Sequence, residues 1–396
     1  MINNLIVFLS PDWEVSYRAS MFRELARQLV PRGGQIICFN RPIFVLSDLF
    51  SNPKRWMQIL ANKLIKPATN ITVYRPILFL HPLISRRLPK FNNYQRKFYR
   101  KKIEILFQDH SLEPKNTAWW VSHPYHFMET DLPQDGKVVY ERYDKYDQSI
   151  GLNADQAGLV AGLDRKLAER ADLIITTSVN LARELDEFKA KVQYLPNSAD
   201  YEYFSNVDTA KGIKGTLAGK IKKPVIGYLG TIHEGLDISL ISRLAEIKKE
   251  WTFMLVGPVQ SEKIKNEPGF KKMQNLPNVV MTGWLDWAML PSYLKLFDVG
   301  IIPYRLDCGF NRYVDPNKFH EYMALGLPVV TTSLPEMGKY REWVETADTP
   351  EAFKTAIEKV LDQDSDMLRA DRKKYARENG WEQRAAKIIS SLDKII

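Results

Sequence analysis

Short apolar runs rich in β-formers recur along this chain with helical periods between them, and no other feature restricts its fold as tightly. In the first half the runs are LIVFLS (5–10), QIICFN (35–40), ITVYRP (71–76), AWWVS (118–122), KVVYERY (137–143), LIITTS (173–178) and VQYLPN (192–197). Helical patterns fill 16–30, 92–108, 160–171 and 180–190. A polar stretch without hydrophobic period, NVDTAKGIKGTLAGKIKKP (206–224), reads as a linker. Beyond it the alternation restarts with VIGYLG (225–230), a helix near 236–249, FMLVGP (253–258), VVMTG (279–283), VGIIPY (299–304) and PVVTTS (328–333). Strands separated by helices join in parallel and are buried on both faces, which is why they read as continuous apolar runs. The expectation is an α/β chain of two doubly wound domains, 1–205 and 225–396, facing a cleft where ligands meet the carboxyl ends of the strands. The terminal segment 366–394 is helical in pattern, with Trp381, Ala385, Ile388 and Leu392 on one side, and is expected to return to the first domain.

Within the second half, DPNKFHEYMALGLPVV (315–330) packs a helix and a strand into sixteen residues. Asp315 suits an N-cap, and Pro316 suits the first helical position, whose N–H has no intrahelical partner. Gly326 suits the left-handed turn that closes a helix, and Pro328 opens the strand that follows. Phe319, Tyr322 and Met323 cover the core side, while Lys318 and Glu321 share another. Two roles fit that pair. A solvated i, i+3 ion pair would stabilise the helix by about 0.2–0.5 kcal/mol. Alternatively, the free N–H groups of the helix head attract an anion, Lys318 adds full charge for a phosphate, and Glu321 accepts hydrogen bonds from hydroxyls such as a ribose offers.

The formal charge of +9 points to an acidic partner. It is concentrated in RRLPKFNNYQRKFYRKK (86–102), with eight Lys or Arg, no acid, and four interleaved aromatic residues. Upstream, PKRWMQILANKLIKP (53–67) reads as a short basic amphipathic helix. Such stretches suit an anionic membrane surface, the plainer reading being solvated faces of surface helices; no nucleic-acid-binding module accompanies them. No apolar run approaches the roughly 18 residues needed to span a bilayer, and the N-terminus lacks signal-peptide flanks, so a cytoplasmic protein is expected. Cys38 and Cys308 match neither a disulfide framework nor a metal-ligand spacing, and no metal is expected.

These motifs resemble the GT-B glycosyltransferases, in particular the large family 4 group, the "glycosyl transferases group 1" type. The resemblance runs through IGYLGTIHEGLD, FMLVGP, LPNVVMTGWLDWAMLPSYLKLFDVGIIPY, DPNKFHEYMALGLPVVTT and GWEQR, and more weakly through ADLIITTSVNLARELDE and VQYLPNSADYEYF. Residues 40–115 carry little of it. It implies a GT-B fold of two Rossmann-like domains, with a UDP- or GDP-linked sugar held by the second. By that resemblance Lys318 contacts the donor diphosphate and Glu321 the ribose hydroxyls, with Asp315 and Asn317 at the same helix head. Gly227, Gly230 and Thr231 form a turn whose amides approach the diphosphate, or an ordinary turn beside a strand. Gly283, Trp284 and Leu285 stand where the family holds the base, with Trp284 either stacked on it or placed at a rim. His123 stands where the family often has a histidine near the donor sugar. The reaction implied retains anomeric configuration and uses no metal or cofactor, the charge on the leaving group being met by Lys318, helix amides and Arg305.

The chain departs from the pattern in three places. Tyr313 occupies the position of the family's first glutamate, and GTIHEGLD lacks the usual cation. The loop YRLDCGFNRY (304–313) offers Arg305 or Arg312 in its stead and Asn311 for a sugar hydroxyl. In SPDWEVSYR (10–18) the usual glycine pair is absent, which makes Trp13, Glu14 and Arg18 candidates for acceptor binding. An inverting member would need a carboxylate base, for which Asp12, Glu14 and Asp144 are candidates. The function expected is transfer of a sugar to a lipid-linked or polysaccharide acceptor, in cell-surface polysaccharide or glycolipid synthesis at the cytoplasmic face of a membrane. Two alternatives stand beside it: a GT-B sugar-nucleotide epimerase, which needs no acceptor, and a non-catalytic scaffold of the same fold.

Overall fold

The computed structural model describes residues 1–46, 64–85, 87–129, 132, 136–149, 151–205 and 221–395. Its first sheet shows why the strands are apolar without interruption. Every residue of β1 (Asn4–Phe8) is buried, and alternate side chains enter two different cores. Leu5 and Val7 join Ile36, Cys38, Trp120 and Val139 under α1 (Arg18–Leu29). Ile6 and Phe8 join Ile37, Phe39, Trp119 and Tyr140 on the other face, under α2 (Pro89–Asp109) and α3 (Ala154–Arg170). The remaining strands are β2 (Ile36–Phe39), β3 (Ile65–Ala68), β4 (Ile71–Tyr74), β5 (Thr117–Val121), β6 (Lys137–Arg142), β7 (Leu173–Thr176) and β8 (Val192–Tyr194). They run in the order β8-β7-β6-β5-β1-β2-β4-β3, parallel except for the edge pair β3–β4.

Strand β3 corrects the helix expected over 53–67. Its described end, Ile65–Ala68, pairs antiparallel with β4, and Pro67 is tolerated there because an edge strand needs no donor on its open side. The rest of that stretch lies outside the described residues, as does most of the expected linker, 206–220.

The second sheet contains β9 (Val225–Leu229), β10 (Thr252–Val256), β11 (Val279–Met281), β12 (Val299–Ile302), β13 (Val329–Thr331) and β14 (Val344–Thr346). All are parallel, in the order β11-β10-β9-β12-β13-β14. Helices α4 (Ile238–Ile247), α5 (Asn317–Leu325), α6 (Pro350–Gln363) and α7 (Asp366–Glu378) pack into the same core. No described helix is long and apolar enough to cross a membrane.

The chain divides into two compact units, residues 1–195 with 381–396, and residues 196–380. The first division falls ahead of the expected linker, and the return of the last helix to the first unit is as expected. Residues 196–205 join the second unit because Asn197 bonds to Asp315 through its backbone N–H and its side-chain amide, each at 2.7 Å, and Phe204 is buried in that core. The helical stretch 366–394 breaks at Gly380, and α8 (Trp381–Leu392) belongs to the first unit, as its apolar spacing requires. Trp381, Ala385, Ile388 and Leu392 are buried beside Phe22 and Leu25 of α1, and Arg32 holds Asp393 at 2.8 Å.

Candidate functional site

In the second sheet the strand order reverses between β9 and β12, so the first residues past their carboxyl ends flank a natural ligand crevice. Gly230 leaves β9 with φ +133°, a value that side-chain-bearing residues rarely adopt. A Cβ there would also lie 3.3 Å from Lys318 Cε, so the glycine makes room for the lysine. Thr231 follows, half-buried. Gly227 does not belong to this turn. It sits inside β9, where a Cβ would meet the Phe297 ring at 2.1 Å, so its lack of a side chain makes room for that ring.

The helix that supplies Lys318 starts later than its sequence suggests. Pro316 is the N-cap residue and Asn317 the first helical one, and no side chain caps the helix. Asp315 faces inward. Its carboxylate accepts from the Asn197 N–H at 2.7 Å and the Tyr340 hydroxyl at 3.3 Å, and lies 3.3 Å from His320 Nε2. A buried N–H left without an acceptor is costly, and that demand takes Asp315 away from capping. Burial acts to raise the Asp315 carboxyl, but His320, Lys339 and the Asn197 N–H outweigh it and hold it below its ordinary value. Gly326 closes the helix in the left-handed conformation, φ +76°, as expected.

Lys318 and Glu321 are both more than nine-tenths buried, and they are not paired with each other. The Lys318 ammonium donates to the Tyr304 hydroxyl and lies 4.6 Å from the centroid of that ring and 5.3 Å from that of Tyr228. Glu321 has no hydrogen bond or ion pair with a described residue. Burial pushes its carboxyl up to about 7, with Lys318 opposing. The solvated ion pair is therefore absent. A buried ammonium without a carboxylate and a buried carboxyl without a donor are both unfavourable unless a ligand completes them.

The loop after β12 differs from expectation. Arg305 is committed to Asp307 through two hydrogen bonds of 3.0 and 2.7 Å, so its charge is already matched, and Arg312 is exposed. Asn311 is buried, and its amide N–H groups donate to the carbonyls of Gly235 and Arg305, both at 2.8 Å, which ties this loop to the one leaving β9. Its Oδ1 is buried with no described partner, as is that of Asn317. Trp284 is 65% exposed, which places it at a rim and not in the core, with Gly283 (φ +67°) and half-buried Leu285 beside it. Nearby in sequence, Trp287 stacks on Tyr203 with centroids 5.4 Å apart. The Tyr203 hydroxyl is raised by burial, with Asp200 and Glu321 adding to the effect, so this aromatic pair stands within electrostatic reach of Glu321. Tyr203, Tyr228, Tyr304 and His233 had no sequence signal of their own. Their strands and loops were legible, but not the fact that four rings converge on one lysine and one glutamate.

In the first unit the three acceptor candidates are held by internal contacts. Trp13 is buried, its backbone N–H donating to Asn40 Oδ1 at 2.8 Å. Arg18 is buried against Glu141, which also accepts from Trp120 and Ser122, and Glu14 is bonded by Arg75 and Asn40. Each already has a partner inside the unit, and Glu14 is exposed beside its own. Asp12 is likewise taken by Arg75. Asp144, just past β6, is half-buried with no described hydrogen-bond or ion-pair partner, and burial pushes its carboxyl up to about 7 against the pull of Arg18. His123 Nδ1 accepts from the Tyr125 N–H at 3.1 Å, and burial, with Arg41, pushes the ring down to about 4, so it is neutral at pH 7.

The sequence profile of the family described as "Glycosyl transferases group 1" matches residues 223–363, the part of the chain that carries this crevice. The chain is 31% identical over 317 residues to a protein of Bacillus subtilis (strain 168) named as a teichuronic acid biosynthesis glycosyltransferase, TuaH, covering 76% of this chain and 78% of that one. Among solved structures it is similar in fold to sucrose-phosphate synthase from Thermosynechococcus elongatus, with a TM-score of 0.66 at 14% identity over 99% of this chain and 98% of that one. It is also similar in fold to HepE of Anabaena in complex with UDP and glucose, with a TM-score of 0.62 at 15% identity over 99% and 100%. The reversed strand order, the helix bearing Lys318 and Glu321, and a relative this similar over three quarters of the chain agree: it belongs to the group 1 glycosyl transferases, with the GT-B fold.

Proposed function

We propose that the chain transfers a hexosyl group from a UDP- or GDP-linked sugar to a lipid-linked or polysaccharide acceptor in the synthesis of a cell-surface polysaccharide or glycolipid, with retention and without a metal. The observation that carries this reading is the buried, carboxylate-free Lys318 ammonium at the head of α5 beside Gly230. As the bond between the anomeric carbon and the β-phosphate oxygen breaks, negative charge grows on that phosphate. Lys318 and the N–H groups of the helix head meet it, which is the largest stabilisation such a step requires. Glu321 accepts from the ribose hydroxyls, and the acceptor oxygen bonds to the anomeric carbon on the face the phosphate leaves, its proton passing to that phosphate. The TuaH relative, named for teichuronic acid biosynthesis, supports a polysaccharide as the product class.

We place the acceptor at a membrane surface. The outward face of α2 presents Tyr94, Phe98 and Ile105 among exposed Lys90, Lys97 and Lys101, with Lys102 Nζ 5.6 Å from the Phe98 ring. Aromatic residues set among lysines fit an anionic interface. Release of UDP or GDP that requires both the sugar nucleotide and a lipid-linked saccharide, and that persists in EDTA, is the expected result. Turnover of the sugar nucleotide without any acceptor would favour the epimerase, and no turnover with tight binding the scaffold.

A further inference from the structure

The loop 230–237 that leaves β9 holds an imidazole whose tautomer and charge are both fixed. The Gly235 N–H donates to His233 Nδ1 at 3.0 Å, so Nδ1 keeps its lone pair and the ring hydrogen sits on Nε2. Burial pushes the ring down to about 4, Lys318 pushes it the same way and Glu234 opposes, so the ring is neutral at pH 7. Nε2 is the open end of the ring: it has no hydrogen-bond partner among the described residues and is not sealed from solvent. The seat is shaped for this side chain. A Cβ on Gly235 would lie 2.7 Å from His233 Cε1, and Asn311 anchors the Gly235 carbonyl at 2.8 Å. The Tyr304 ring, whose hydroxyl accepts from Lys318, is centred 6.3 Å from the imidazole. The charged groups that face the ring are Lys318 from α5 and Glu234 from its own loop, and Glu234 accepts from the Ser261 hydroxyl.

We propose that His233 donates a hydrogen bond from Nε2 to the diphosphate of the bound nucleotide, beside the Lys318 ammonium; this rests on the reading of the crevice as a nucleotide-sugar site. A ring that stays neutral next to a lysine is no acid at pH 7. What it offers is a directed N–H adjoining a positive charge, the complement of a phosphate oxygen. It also supplies a donor where Arg305, committed to Asp307, does not.

Calorimetric titration with UDP and GDP, and with UMP and GMP as controls, tests this on the intact chain. His233→Ala should bind the diphosphate about tenfold more weakly and the monophosphate within about twofold of wild type, the loss expected for one hydrogen bond to a charged group. His233→Gln, whose amide N–H reaches the Nε2 position, should recover most of the affinity, and His233→Asn, which does not reach it, should not. Equal losses for mono- and diphosphate, or no recovery in the glutamine variant, would make His233 a structural residue and overturn the proposal. An unaltered alanine variant beside a weakened Lys318→Ala would overturn it alone, whereas a wild type that binds no nucleotide would overturn the nucleotide-site reading with it.

Discussion

Glu321 gives the sharpest test of the site, because its burial couples affinity to stability with opposite signs. Its carboxyl has an ordinary value of 4.5 and is pushed by burial to about 7 in the folded chain. Below pH 4.5 it is protonated in both folded and unfolded states and costs nothing. Between 4.5 and 7 the unfolded chain ionises while the folded one resists, so stability falls by about 1.4 kcal/mol for each pH unit. Above 7 the loss is complete, at about 3 kcal/mol in all. Glu321→Gln removes the titration, so above pH 7 the variant should be the more stable by up to that amount. For a unit of this size that is about 6–12 °C in thermal midpoint. The same variant loses the acceptor proposed for the ribose hydroxyls, so its nucleotide affinity should fall. Melts followed by circular dichroism from pH 5 to 8.5, paired with nucleotide titrations, measure both. Parallel curves for wild type and variant would show that Glu321 is not a desolvated carboxyl, and a variant that is stabilised yet binds as before would remove it from the ribose.

Three further outcomes follow from the geometry. Lys318→Ala should weaken donor binding and turnover by about 10- to 100-fold, the worth of about 1.5–3 kcal/mol for a charge-assisted contact, with Lys318→Arg retaining part of both; unchanged turnover in single-turnover assays would exclude Lys318 from the site. Gly227→Ala should destabilise the second unit by about 1–3 kcal/mol in denaturant unfolding, because its Cβ would meet Phe297 at 2.1 Å; a variant as stable as wild type would contradict that packing. Replacing the exposed Lys90, Lys97, Lys101 and Lys102 by glutamine should release the protein from anionic liposomes in sedimentation and leave nucleotide binding intact, since each exposed cation near such a surface contributes about 1 kcal/mol that salt screens; equal sedimentation would exclude this face of α2 as the contact.

The sequence period revealed both sheets because strands buried on two faces cannot hide their apolar runs. It failed where the local signal and the tertiary demand diverge. The stretch 65–67 is read as the tail of a basic helix until β4 offers it an edge to pair with. Asp315 reads as a helix cap, yet a buried backbone N–H more than a hundred residues away claims its carboxylate. Trp13, Glu14 and Arg18 follow a strand end, where ligands bind in such folds, but their contacts with Asn40, Arg75 and Glu141 come from distant elements and carry no local signal. That Lys318 and Glu321 share one side of α5 was legible because helix spacing alone supplies it, with no help from distant residues. His233 was not, because its meaning depends on a glycine two residues on and a lysine from another element.

That Lys318 and Glu321 remain apart is itself informative. The two lie one turn apart on a helix, where an ion pair is the ordinary outcome, and in a buried setting each would be stabilised by the other. The Tyr304 hydroxyl takes the ammonium instead, and two aromatic rings lie within 5.3 Å of it, leaving the carboxyl with no donor. The folded chain thus keeps two unfavourable groups of opposite sign at fixed separation. A ligand carrying only an anion or only a diol relieves one of them, while a ligand carrying both, with the anion toward Gly230 and the diol toward the Tyr203–Trp287 pair, relieves both at once. A nucleoside diphosphate has that order of parts. The selectivity we propose therefore originates in the pairing the helix declines to make, since a lysine neutralised by its own glutamate would have little left to offer a leaving phosphate.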